Sequence, residues 1–151
     1  SPDVPTYDLK PEMSAIEVKN TVLNQLEKDI YQVMIINFAN PDMVGHTGDI
    51  EAAIKAVETV DKCFGEIVNY IIRAEGTAII TADHGNCEEM YDRETLDPIT
   101  SHTKNRVPFI IVSNKKFSLR EGILADVAPT MLELMGLEKP ADMTGTSLIV
   151  H

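Results

Sequence analysis

The feature that most restricts the fold is a rhythm of short apolar runs separated by stretches of helical period. Val33-Met34-Ile35-Ile36-Asn37-Phe38, Thr77-Ala78-Ile79-Ile80-Thr81 and Val107-Pro108-Phe109-Ile110-Ile111-Val112 each read as a buried strand. The proline of the third lies near its start, where a strand tolerates one. Between the first two, Ile50, Ile54, Val57, Val60, Phe64, Ile67, Val68 and Ile71 form one helical stripe. That stripe predicts a helix from about Asp49 to Glu75, apolar face in the core, with Gly76 at its C′ position. Ser14-Ala15-Ile16-Glu17 fits a capping box ahead of Ile16, Leu23, Leu26 and Ile30. Asp126 reads as an N-cap ahead of Pro129, Met131, Leu132, Leu134 and Met135, with Gly136 closing that helix. The first ten residues, with Pro2 and Pro5, read as a linker or an arm lying on a surface. Strands alternating with helices predict an α/β layered domain with a largely parallel sheet flanked by helices. In such sheets ligands collect at the carboxyl ends of strands, so the chemistry is sought there.

Composition narrows the function classes. A chain of 151 residues supplies one domain with a core and too little for two, and 44% hydrophobic with 25% charged residues is a globular composition. The net charge of −11 argues against a nucleic-acid or anionic-membrane surface. An anionic substrate stays open, because bound divalent cations reverse the local potential. No run approaches the ~20 apolar residues of a membrane span. The opening Ser1-Pro2-Asp3-Val4-Pro5 is neither basic nor apolar, so no signal peptide is expected, and without an initiator Met it reads as the interior of a longer protein. Cys63 and Cys87 form no CxxC pair and no disulfide framework, which points to reduced thiols and a cytoplasmic location.

Three of the four histidines stand in polar turns at strand ends. Asn40-Pro41-Asp42-Met43-Val44-Gly45-His46 follows the first run, Thr81-Ala82-Asp83-His84-Gly85-Asn86 follows the second, and Thr100-Ser101-His102-Thr103 precedes the third. Terminal His151 is given no role. Asp42 and His46 share one face at i, i+4 spacing, or converge through a turn ending in Gly45. Asp83 and His84 are adjacent and would diverge in a strand, so only a turn, which Gly85-Asn86 supplies, aims both at neighbouring points. A lone DxxxH is common by chance, and a lone loop histidine is usually just solvated; joint placement at successive strand ends is what carries a metal reading. Mixed imidazole and carboxylate donors suit Mn²⁺, Zn²⁺ or Fe²⁺ better than Ca²⁺ or Mg²⁺. Asp42, His46, His102, Asp83 and His84 exceed what one catalytic ion takes from protein, so two ions close together would use them better.

The string Ile35-Ile36-Asn37-Phe38-Ala39-Asn40-Pro41-Asp42-Met43-Val44-Gly45-His46-Thr47-Gly48 resembles the C-terminal metal motif of cofactor-independent phosphoglycerate mutases. So do Ile80-Thr81-Ala82-Asp83-His84-Gly85-Asn86, Ser101-His102-Thr103 with Val107-Pro108-Phe109, the opening Val4 to Ser14, and Ala125-Asp126-Val127-Ala128-Pro129-Thr130-Met131-Leu132. Asp-His-Gly and Ala-Pro-Thr alone would indicate only the wider alkaline-phosphatase superfamily; the long first motif points to the mutases. The resemblance implies an alkaline-phosphatase-like domain, incomplete here, and two Mn²⁺ ions, with Zn²⁺, Co²⁺ or Fe²⁺ as substitutes. Asp42, His46 and His102 would hold the first ion, and Asp83 and His84 would help hold the second. The implied reaction interconverts 3-phosphoglycerate and 2-phosphoglycerate, a step of glycolysis and gluconeogenesis, through a phosphoserine intermediate. Its physical basis is that a serine hydroxyl attacks at neutral pH only beside a base or a metal.

One departure is large. The family's nucleophilic serine, an aspartate and an inserted phosphotransferase domain belong to upstream segments, and no serine here stands in the nucleophile's context. Residues 1–151 therefore read as the C-terminal part of the metal-binding domain, without a catalytic residue of their own and inactive alone. The second metal site would lack two ligands. An edge cut in this way is expected to drive self-association. Cys87 is a bystander or a neighbour of the metals, Lys104 and Arg106 are solvated cations or phosphate partners, and Met90, Met131, Met135 and Met143 read as packing residues. Another phosphatase, phosphodiesterase or phosphopentomutase of the superfamily, or a non-catalytic metal-binding module, remains the alternative.

Overall fold

The computed structural model describes residues 1–151, in two compact units, Ser1–Val112 and Ser113–His151. The first unit holds α1 (Ala15–Leu26), α2 (Asn40–Gly45), α3 (Ile50–Arg73), β1 (Ala78–Thr81) and β2 (Phe109–Val112). The second holds β3 (Ser118–Leu119), α4 (Val127–Leu134) and β4 (Ile149–Val150).

Helix α3 begins where its cap dictates. The Asp49 carboxylate accepts the Ala52 N–H at 2.9 Å, a bond worth about 0.5–2 kcal/mol. It ends in a Schellman turn, with Gly76 N–H on the Ile71 carbonyl at 2.8 Å and Glu75 N–H on that of Ile72 at 3.1 Å. The left-handed residue is Glu75, at φ 59°, one position before the glycine expected there. Gly76 is needed instead for close approach, because a Cβ would lie 2.9 Å from Ile71 Cγ2.

The core face of α3 also differs from the predicted stripe. Ala52, Ala53, Ala56, Val60, Cys63 and Ile67 are buried, whereas Ile50, Ile54 and Val57 are exposed. The alanines admit α2 and the N-terminal arm at short range, and no element of the chain covers the isoleucine side. The resulting core is Met13, Val44, Ala52, Ala53, Ala56 and Met90, with Tyr7, Met43 and Cys87 packed against it. The first ten residues are thus a surface arm, held by Tyr7 and by a short 3-10 turn at Tyr7–Leu9. On α1, Ser14 occupies the N-cap position but makes no side-chain cap, so the predicted capping box is not formed. At φ −112° and ψ 21° its backbone lies outside the extended region that aims a cap hydroxyl at the helix. Lys19 of α1 pairs with Glu66 of α3 at 2.7 Å.

Two strand expectations are corrected. Residues 33–38 form no strand and belong to no sheet, and Ile35 is 89% exposed. A strand exists by its ladder, and neither of the two sheets includes this segment. Phe38 alone is anchored, edge-to-face on Phe64 with ring centroids 5.0 Å apart. The sheet is not parallel either. β1 pairs with β2 antiparallel, from Ala78↔Val112 to Thr81↔Phe109, and β3 pairs with β4 antiparallel. A parallel return requires a crossover, usually a helix, and residues 82–108 contain none.

In the second unit, Asp126 precedes α4 without capping it. Its carboxylate accepts the N–H groups of Thr146 at 2.8 Å and Ile123 at 3.1 Å, which together hold it below the ordinary carboxylate range. Thr130, fully buried, donates to the Asp126 carbonyl and accepts from Leu148 N–H. Gly136, at φ 68°, closes α4 as expected. Met90 packs in the core of the first unit, but Met135, at the C-cap beyond the last turn of α4, is exposed.

Candidate metal centre

Antiparallel pairing decides where the histidines meet. Because Thr81 ends β1 opposite the Phe109 that begins β2, the loops carrying His84 and His102 leave the same end of the ladder. A further antiparallel bridge, Gly85↔Thr103, holds them together, with Thr103 N–H on the Gly85 carbonyl at 2.9 Å. The two imidazoles stack, centroids 3.7 Å apart and planes 20° apart.

Helix α2 brings the other two donors. Pro41 in its first turn and the buried Asn40 set its start, and Asn40 Nδ2 donates to the carbonyls of Pro11 and Glu12 at 2.8 Å each. Asp42 and His46, one turn apart, then project from one face, with Asp42 Oδ1 3.3 Å from His46 Nε2. Asp42 Oδ1 also lies 3.1 Å from His102 Nε2 and 3.9 Å from His84 Nδ1. The donor atoms of Asp42, His84 and His102 all fall within 4.8 Å of one another. Asp83 stands at the rim: its carboxylate is 89% exposed and 3.6 Å from His84 Nε2. The five side chains thus occupy one region, with His84 reaching toward both Asp42 and Asp83.

The tautomer of His46 follows from its neighbour. A carbonyl oxygen can only accept, so Nδ1 carries the proton that it donates to Thr100 O at 2.5 Å. Nε2 of a neutral His46 then offers a lone pair toward Asp42, the arrangement that orients ligating histidines. His46 Nε2 and His102 Nε2 are 3.2 Å apart. Three mutual separations of 3.1, 3.2 and 3.3 Å fit one ion. With donor–ion bonds of about 2.1 Å, adjacent donors stand roughly 3.0 Å apart in an octahedron and roughly 3.4 Å apart in a tetrahedron.

Polar residues around the donors fix their geometry; of these the sequence marks Asn86 only as a turn former and gives no signal for Glu88. Asn86, buried, donates from Nδ2 to Asp42 Oδ1 at 2.8 Å and to the Asp42 carbonyl at 3.2 Å. Its Oδ1 is buried without a partner and lies against Gly45, where a Cβ would come within 2.3 Å of it. Glu88 accepts Asn86 N–H at 2.6 Å, Asn105 Nδ2 at 3.1 Å and the Thr103 hydroxyl. Burial pushes the Glu88 carboxyl up, but the bonds from Thr103, Asn105 and backbone N–H groups outweigh it and hold the group below its usual range. Cys87 packs on the core, and burial, reinforced by the nearby Glu88 charge, raises its thiol. Lys104 and Arg106 are exposed in the loop before β2.

Comparison with known proteins identifies the family. The model of the metalloenzyme superfamily matches residues 1–139. The chain belongs to that superfamily. It is 61% identical over 150 residues to a 2,3-bisphosphoglycerate-independent phosphoglycerate mutase of Clostridium botulinum, and 57% identical over 150 residues to one of Acetivibrio thermocellus. Those alignments take in 99% of this chain and 30% and 29% of the relatives, so the chain spans under a third of their length. A crystal structure of Leishmania mexicana phosphoglycerate mutase, determined at low cobalt concentration, superposes with a TM-score of 0.90 at 34% identity. It covers 98% of this chain, which corresponds to 30% of that protein. Unpaired residues 33–38 and the antiparallel ladder therefore belong to an α/β fold of the phosphoglycerate-mutase kind. No helix is long and apolar enough to cross a membrane.

Proposed function

We propose that this chain is the metal-binding portion of a cofactor-independent phosphoglycerate mutase, an isomerase acting on 2- and 3-phosphoglycerate. The observation that carries this reading is the convergence of Asp42 Oδ1 with Nε2 of His46 and His102 at 3.1–3.3 Å, in a chain about 60% identical to such mutases. Asp42, His46 and His102 hold one divalent ion; Asp83 and His84 contribute to a second, whose remaining ligands lie outside these residues. Mn²⁺ suits the imidazole–carboxylate set, and Zn²⁺, Co²⁺ or Fe²⁺ would substitute. When bound, such ions supply Lewis acidity toward phosphoryl oxygens and lower the pKa of a coordinated hydroxyl.

The chain's own contributions are positional. Thr100 O fixes the proton of His46 on Nδ1, Asn86 turns Asp42 Oδ1 toward the two Nε2 atoms, and the stacked rings of His84 and His102 keep the loops in register. The nucleophilic serine and the inserted phosphotransferase domain belong to the remaining two-thirds of such enzymes. The 151-residue polypeptide alone accordingly binds metal but does not interconvert the phosphoglycerates. The exposed edge at residues 33–38 is where upstream chain, or a second copy, would pair.

The test is metal content and Mn²⁺ affinity of the purified chain, with Asp42→Ala and His102→Ala alongside. One tightly held ion per chain, lost in both variants, is the expected result. Binding that survives either substitution would sink the assignment.

A further inference from the structure

We infer that Glu88, which touches none of the five donor side chains, is a positioning residue that holds the two ligand-bearing loops in one geometry. The inference rests on the metal reading above and extends it to a residue outside the ligand set.

Glu88 lies on the loop after β1, four residues beyond His84, and its carboxylate reaches both loops at once. Oε2 accepts the N–H of Asn86 at 2.6 Å, and Oε1 accepts the Thr103 hydroxyl and Asn105 Nδ2 at 3.1 Å. Thr103 directly follows His102, so this bond anchors the imidazole that stands 3.1 Å from Asp42 Oδ1. Asn86, braced at its backbone by Glu88, sends its side chain to Asp42 Oδ1 at 2.8 Å. One carboxylate therefore sets the loop of His102 directly and the rotamer of Asp42 through Asn86.

Charge and donor count make the position specific to a carboxylate. Three N–H or O–H groups point at Glu88, and an ionised carboxylate can accept from all of them. A glutamine is isosteric but presents an NH₂ where one oxygen was. Turned toward the Asn86 N–H, that NH₂ sets donor against donor; turned toward the other loop, it donates to the Thr103 oxygen only by reversing that bond and still faces the Asn105 donor. Asn105 Nδ2 additionally bonds Glu89 Oε2 at 2.9 Å, so that contact survives and the loop stays tethered. The predicted effect is a distorted donor set in a folded protein. Residues that orient a metal ligand without binding the ion typically govern 10- to 100-fold in metal affinity.

The experiment titrates Co²⁺ and Mn²⁺ into the wild-type chain and the Glu88→Gln, Glu88→Ala and Asp42→Ala variants. It records affinity, the Co²⁺ visible absorption spectrum and Tm. Val22→Ala, a cavity at a buried position of α1, which carries none of the donors, serves as a control for general destabilisation. The expected result is a 10- to 100-fold weaker affinity and an altered Co²⁺ spectrum for Glu88→Gln, larger still for Glu88→Ala. Val22→Ala should lower Tm while leaving affinity and spectrum as in the wild type. Glu88→Gln with wild-type affinity and spectrum, beside an Asp42→Ala that binds nothing, overturns the inference and leaves the metal reading standing. A wild-type chain that takes up neither ion overturns both.

Discussion

Gly45→Ala tests whether the metal centre depends on the close approach of α2 to the loop after β1. A methyl group there would sit 2.3 Å from Asn86 Oδ1 and 2.9 Å from its Cγ, and both atoms belong to a buried side chain that cannot swing into solvent. Asn86 must retreat, and with it goes the bond from Nδ2 to Asp42 Oδ1 at 2.8 Å. Overpacking of this kind costs about 1–3 kcal/mol. Loss of a hydrogen bond to a charged group adds roughly 1.5–3 kcal/mol. Alanine's better helix propensity returns about 1 kcal/mol, leaving a net destabilisation of roughly 1.5–5 kcal/mol. The assay is urea unfolding of Gly45→Ala, Asn86→Ala and the double variant. Removing the Asn86 side chain also removes what the methyl strikes, so the two substitutions should couple by about 0.5–3 kcal/mol, the double variant being less damaged than the sum. Mn²⁺ affinity should fall in both single variants. Strict additivity, or a Gly45→Ala protein as stable as the wild type, would refute the contact.

Other outcomes follow from the same geometry. The carboxyl of Asp126 is held low by the Thr146 and Ile123 N–H groups, so its contribution is fully present above the ordinary carboxylate range and fades as pH falls through its folded pKa. The stability difference between wild type and Asp126→Asn, from urea curves, should be greatest above about pH 5 and shrink below about pH 4. A difference that stays constant down to acid pH would count against the charge as its source. Ile35, 89% exposed on a segment outside both sheets, should drive concentration-dependent association visible by light scattering. Ile35→Lys should reduce it, and an unchanged mass distribution would place the sticky surface elsewhere.

What was legible in the sequence depended on how local the determining physics is. The start of α3 near Asp49, the glycine after α4 and the helical period of α3 are settled within a few residues, and each lies close to where the sequence puts it, whereas the caps expected at Ser14 and Asp126 do not form. The face that α3 buries was not local. Ile50, Ile54 and Val57 are as apolar as any core residue, yet the partner elements meet the alanines, because only small side chains let α2 approach. Glu88 was missed for the same reason. Beside Glu89 it looks like a solvated acidic pair, and its meaning comes from Thr103 and Asn105, fifteen and more residues away in the chain.

The site depends on strand direction. Had β1 and β2 run parallel, the loops after β1 and before β2 would have left opposite ends of the pair, and His84 could not stack on His102. The antiparallel register Thr81↔Phe109 is therefore a requirement of the metal reading, not an incidental correction. It could have been anticipated: His102 precedes its strand whereas His84 follows one, so convergence at one end demands opposite strand directions. Polar residues 82–106 offer no apolar helical stripe that could serve as a crossover, which points the same way. By contrast, nothing within residues 33–38 could have announced that the segment lacks a neighbour, since β-branched side chains favour an extended backbone whether or not a ladder forms. Pairing is a property of two segments, and this chain supplies one of them.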